Sequence, residues 1–118
     1  MNFENLSFGS IQIDGKTYAH DVAIDRGEIR KRRKKPSRKF RNEFGHTPLS
    51  VEEAIPWECR RLIVGTGIYG GLPVMNDGRP WALGDLRKIE LVILPTAQAI
   101  EAVQKESEGT NAILHVTG

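Results

Sequence analysis

Apolar and polar positions alternate from the start of the chain. In Phe8-Gly9-Ser10-Ile11-Gln12-Ile13 the pattern predicts a strand with one buried face. Asp14-Gly15 is a two-residue hairpin signal. Lys16 to Ile24 reads as the partner strand, with Tyr18, Val22 and Ile24 on its apolar positions and a bulge near His20-Asp21. Asp25-Arg26-Gly27 is a second turn. Glu28 to Arg33 reads as a third, very basic strand anchored by Ile29. Residues 1–33 are thus expected to form an antiparallel β-meander. Residues 34–46 have no period and contain Pro36, Ser37 and Gly45, which predicts an exposed basic loop.

The pattern then changes. Ser50-x-x-Glu53 has capping-box spacing and predicts a short helix over Val51–Ile55, limited by Pro56. Arg60–Val64 and Glu90–Leu94 are nearly continuous apolar runs, as buried parallel strands are. Pro80 suits the first turn of a helix running to about Lys88. Thr96 is the candidate N-cap of another helix, with Ala99, Ile100 and Val103 on its apolar face and Gly109 at its stop. Ala112–Val116 is the last strand. Residues 47–118 therefore read as a β-α-β-α-β half, whose right-handed crossovers lay helices on a sheet. The expected fold is a single α/β domain over residues 1–118, in three layers. Its mixed central sheet is extended or covered by the opening meander.

Composition narrows the function classes. The chain has 118 residues, 39% apolar and 27% charged, an ordinary balance for one soluble domain. Its apolar runs are far too short to span a membrane, and Met1-Asn2-Phe3-Glu4 lacks the layout of a secretion signal. Cys59 is the only cysteine, so no internal disulfide can form, and a reducing cytoplasmic location is expected. The net charge of +2 hides an asymmetry. Arg26 to Arg41 holds ten of the 17 basic residues and one acid, Glu28. That segment should attract the acidic remainder as well as any partner.

Several short stretches occur together in one known group. They are Phe8-Gly9-Ser10-Ile11, His46-x-x-Leu49-Ser50-x-Glu52-Glu53, the glycine loop after a strand, Ile93-Leu94-Pro95-Thr96, and Leu114-His115-Val116-Thr117. In this order the chain resembles the small α/β domain shared by the adipogenesis-associated protein and mitochondrial complex I assembly factor three. The resemblance covers nearly the whole chain. It implies a three-layer fold, no established enzyme activity, and a role in assembly or regulation. One departure is Asn76-Asp77-Gly78-Arg79-Pro80, where such proteins usually start a regular helix.

The chemistry-bearing feature is Gly65-Thr66-Gly67-Ile68-Tyr69-Gly70, directly after Leu62-Ile63-Val64. A buried strand ending in a glycine-rich turn is a common way to build a ligand crevice. Gly65, Gly67 and Gly70 match G-x-G-x-x-G, but Pro73 and the stretch to Pro80 delay the helix a dinucleotide site needs. The next strand also lacks a carboxylate at its end. A small anion on free loop amides is the better functional reading, with Tyr69 and Thr96 facing the same crevice. Set against it is a tight turn that only packs strand against helix. Arg30, Arg32, Arg33 and Lys35 form a candidate basic partner surface for an acidic protein. Nucleic acid is disfavoured, because no aromatic residue is interleaved from Arg26 to Lys39. His46 is the candidate functional histidine, His115 reads as a core residue, and Cys59 would have a lowered pKa only if exposed beside Arg60-Arg61. No metal-ligand spacing, catalytic set or cofactor signature is present. The expected protein is a small binding or assembly module. An enzyme with a minimal site in the same crevice, and a weak nucleic-acid binder, are the alternatives. Self-association is left open.

Overall fold

The computed structural model describes residues 1–45, 47–50, 53–74 and 89–118. Five strands form the central sheet: β4 (Val22–Asp25), β5 (Glu28–Lys31), β6 (Arg61–Gly65), β7 (Glu90–Leu94) and β8 (Thr110–Leu114). Their order is β5-β4-β8-β6-β7. β4 pairs antiparallel with β5 and β8, while β6 lies parallel to β7 and β8. A smaller antiparallel sheet holds β1 (Phe3–Ser7), β2 (Ser10–Ile13) and β3 (Lys16–Tyr18).

The period-two pattern of the central strands divides the core. Val22, Ile24, Ile63, Ala112 and Leu114 project to one face, where they meet Ile11 and Ile13 of the small sheet and Ala99 and Val103 of helix α2 (Thr96–Lys105). Ala23, Leu62, Val64 and Ile113 project to the other face, against Leu49, Ile55, Leu72 and Ile89. The architecture is a three-layer α/β domain around a mixed sheet. Among the described residues, no helix is long and apolar enough to cross a membrane.

Three expectations change in detail. The second strand does not bulge at His20-Asp21. It breaks there, so β3 stays in the small sheet and β4 enters the central one. The meander thereby both covers and extends the central sheet. Asp14 and Arg26 each adopt positive φ before a glycine, the mirror-image geometry that closes two-residue hairpins. The basic loop is ordered: Lys35–Phe40 forms a 3₁₀-helix that leads into α1 (Arg41–Phe44). Pro36 sits in its first turn and Ser37 turns inward to burial. Glu53–Ile55 is not helical, although Ser50 N–H donates to the Glu53 carboxylate at 3.4 Å, as in a capping box. The helix expected over 80–88, the departure at Asn76–Pro80, and His46 lie outside the described residues.

Candidate functional site: a basic pocket beside the strand-end turn

The strand-end turn, expected to present free amides, does not. Thr66 N–H donates to Leu94 O at 2.8 Å, Ile68 N–H to Thr117 O at 2.9 Å and Gly71 N–H to Gly118 O at 2.8 Å. Gly67 N–H donates to Thr96 Oγ1 at 2.8 Å. Only a weak turn bond serves Gly70, whose N–H reaches Gly67 O at 3.3 Å. Four of the turn's donors, from Thr66, Gly67, Ile68 and Gly71, are thus spent on its neighbours, and a cradle of free amides for an anion is not formed. The glycines serve close approach instead. A Cβ on Gly67, at φ +107°, would stand 2.5 Å from Thr117 O, and one on Gly65 2.9 Å from Thr96 Oγ1.

Thr96 also differs from expectation. It is the first residue of α2 and does not cap it; Pro95 holds the cap position. Its hydroxyl accepts from Gly67 N–H and donates to His115 O at 2.6 Å, joining the ends of β6 and β8 to the helix start. Tyr69, expected to face the crevice, is 79% exposed.

The basic surface divides. Arg32 is buried, its side chain only 2% exposed. It forms a two-pronged pair with Glu53, both bonds at 2.8 Å, and donates to Asp21 at 2.9 Å and to Pro48 O at 2.9 Å. Ser37 and Ser50 complete the cluster around Glu53. Arg32 is therefore not part of a partner surface, because two carboxylates and a carbonyl use its fork. Arg30 donates to Ala54 O at 2.8 Å. Arg33 and Lys35 are exposed.

Beside this cluster lies a pocket of about 560 Å³. Lys34, Arg38 and Arg41 contribute cations, Thr47, His115 and Thr117 polar groups, and Phe8 an aromatic edge. Among the described residues lining it there is no acidic side chain. The ordered 3₁₀ and α1 turns bring the three cations to one place, which a featureless loop would not. Sequence reading missed them because it ran the basic stretch as strand and loop.

A hydrogen-bonded chain runs along the pocket's floor. Asp21, at the break between β3 and β4, accepts from His115 Nδ1 at 2.8 Å and from Val116 N–H at 2.9 Å. The other ring nitrogen, Nε2, lies 3.0 Å from the Thr117 hydroxyl. Burial alone would raise the Asp21 pKa. The hydrogen bond and charge of His115, the Val116 amide and Arg32 outweigh that and hold it at about 2. Burial would likewise lower the pKa of Arg32, but Glu53 and Asp21 push it above the ordinary arginine value. The ionised pair is thus fixed on both sides. Cys59 is the opposite of a reactive thiol: burial pushes its pKa up.

Fold and topology together define the class, a small three-layer α/β domain around a mixed sheet. Within it the chain belongs to the same family as the conserved hypothetical protein PH1505 from Pyrococcus horikoshii OT3, with which it shares 30% identity over 100% of both chains, at a TM-score of 0.82. It has the fold of a protein named MT938, at 22% identity and a TM-score of 0.67, covering 98% of this chain and 97% of that one. It also has the fold of a Mth938-like domain protein from Bordetella pertussis, at 15% identity and a TM-score of 0.60, covering 95% of this chain and 83% of that one. No family model matches the sequence, and no curated protein matches it.

Proposed function

We propose that the protein is a small binding module, in an assembly or regulatory role, whose site is the basic pocket and whose ligand is anionic. One observation carries this reading. Lys34, Arg38 and Arg41 converge on a cavity of about 560 Å³; among the described residues no acidic side chain lines it and none of the three has an ion-pair partner. Cations left without carboxylates in a concave site raise the local concentration of anions and steer them in. A small anion and the acidic tail of a protein partner share that chemistry. The assembly role is supported by the likeness to the complex I assembly factor domain, and the cytoplasmic setting by the lone, quiet Cys59. Calorimetric titration with pyrophosphate and with a short polyglutamate tests the reading. At least one should bind saturably, weaken as salt rises, and be lost in Arg38→Glu/Arg41→Glu. Absence of saturable binding to both at low salt overturns it.

The Asp21–His115–Thr117 chain favours a second reading, an enzyme using the same pocket. Carboxylate, imidazole and hydroxyl stand in the order of a hydrolase triad. Thr117 Oγ1 would attack an acyl carbon while His115 Nε2 takes the hydroxyl proton and then returns it to the leaving group. An activated ester with an anionic tail should leave an acyl adduct on Thr117, seen by mass spectrometry and absent from Thr117→Val. No adduct at that residue rules the enzyme reading out.

A further inference from the structure

We infer that the pocket takes a phosphorylated ligand carrying a flat aromatic ring, of the nucleoside phosphate class, with its ring stacked on Phe8 and Tyr69. This rests on the anion-pocket reading above and goes further. The two rings are the most exposed large apolar side chains among the described residues, Phe8 at 63% and Tyr69 at 79%. They stand side by side, with centroids 6.2 Å apart and planes tilted by 42°. Phe8 also lines the basic pocket, so the pair forms an apolar shelf beside the cations.

The shelf is held in place. Phe8 sits on the turn between β1 and β2, where Gly9 N–H donates to Val116 O at 2.7 Å. Tyr69 sits on the turn after β6, where Ile68 N–H and Gly71 N–H bond to Thr117 O and Gly118 O. Both rings are therefore anchored by their backbones to the same segment, 116–118, which also lines the pocket. Two large aromatic rings are thus held side by side facing water. Their chemistry suits a planar π-system. The cations suit a phosphate, and the Thr47 hydroxyl, which lines the same pocket, suits a sugar. A cavity of about 560 Å³ lies within the roughly 300–1,000 Å³ of small-molecule sites, which favours a free nucleotide over a nucleic-acid strand. The phosphates would rest on side chains, because the turn that matches G-x-G-x-x-G has spent its amides.

The test compares pyrophosphate, ADP and a single-stranded oligonucleotide as probes in calorimetry, on the wild type and on Phe8→Ala/Tyr69→Ala. Both replaced residues are exposed, so the variant should fold, and its circular dichroism checks this. ADP is expected to bind at least about tenfold more tightly than pyrophosphate, from the stacking of one base. In the double variant that advantage should vanish while pyrophosphate still binds saturably. Pyrophosphate binding with no ADP advantage overturns this inference and leaves the anion pocket standing. Binding of neither overturns both. Tight binding of the oligonucleotide with none of ADP overturns it in favour of a strand-binding surface.

Discussion

The glycine turn and the basic run are the two stretches that stand out in the sequence, and the fold treats them in opposite ways. The turn, rich in backbone donors, spends most of them internally: Leu94, Thr96, Thr117 and Gly118 take the amides of Thr66, Gly67, Ile68 and Gly71. The basic run is split. Arg32 is enclosed by Glu53 and Asp21, whereas Lys34, Arg38 and Arg41, a few residues on, border an open pocket. Residue type marks where chemistry is available. What remains after internal bonding decides where it can be used. The site accordingly moves from the turn itself to the pocket next to it.

The contrast within the basic run can be broken first at Arg32. Arg32→Met leaves Asp21 and Glu53 buried without their cation, so urea unfolding should register a loss of about 3–5 kcal/mol. A loss below about 1 kcal/mol would mean the pair behaves as a surface salt bridge, and the division would fail. For the turn, Gly67→Ala forces a Cβ to within 2.5 Å of Thr117 O at φ +107°. Strain of this kind costs about 1–3 kcal/mol before any displacement of residues 115–118, and the melting temperature should fall accordingly. An unchanged melting temperature would show the turn to be looser than its hydrogen bonds indicate.

Acid titration sharpens the role of Asp21. Its folded-state pKa, about 2, lies below the ordinary 3.8. The unfolded chain therefore takes up this proton first as pH falls. The stabilisation is present above 3.8 and is lost as the pH falls towards 2, on the order of 2 kcal/mol in all. Asp21→Asn should flatten that part of the stability–pH curve. A curve of unchanged slope would remove Asp21 as the linked group. The smallest effect is expected at the pocket's rim. Arg38→Ala and Arg41→Ala should each change stability by no more than about 0.5 kcal/mol. A larger loss by chemical denaturation would place these arginines with Arg32, among the structural cations.

Much of the architecture could be read from periodicity alone. β7 matches its predicted span, Glu90–Leu94, and β6 and β8 are displaced by one or two residues, because a burial pattern is written locally in each strand. Both hairpin turns follow from dipeptides, Asp14-Gly15 and Arg26-Gly27. The fold class, the mixed sheet and the position of the strand-end turn were therefore determined by the sequence. Tertiary contact decided the rest. Asp21, His115 and Thr117 meet because a strand breaks at one end of the chain and β8 ends beside it, a separation of 94 residues between the first two. The aromatic edge of the pocket comes from Phe8, on a turn distant in sequence from the basic run. Neither meeting has a local signal, since hydrogen bonds and packing over such distances depend on the path of the whole backbone and not on the spacing of residues along it.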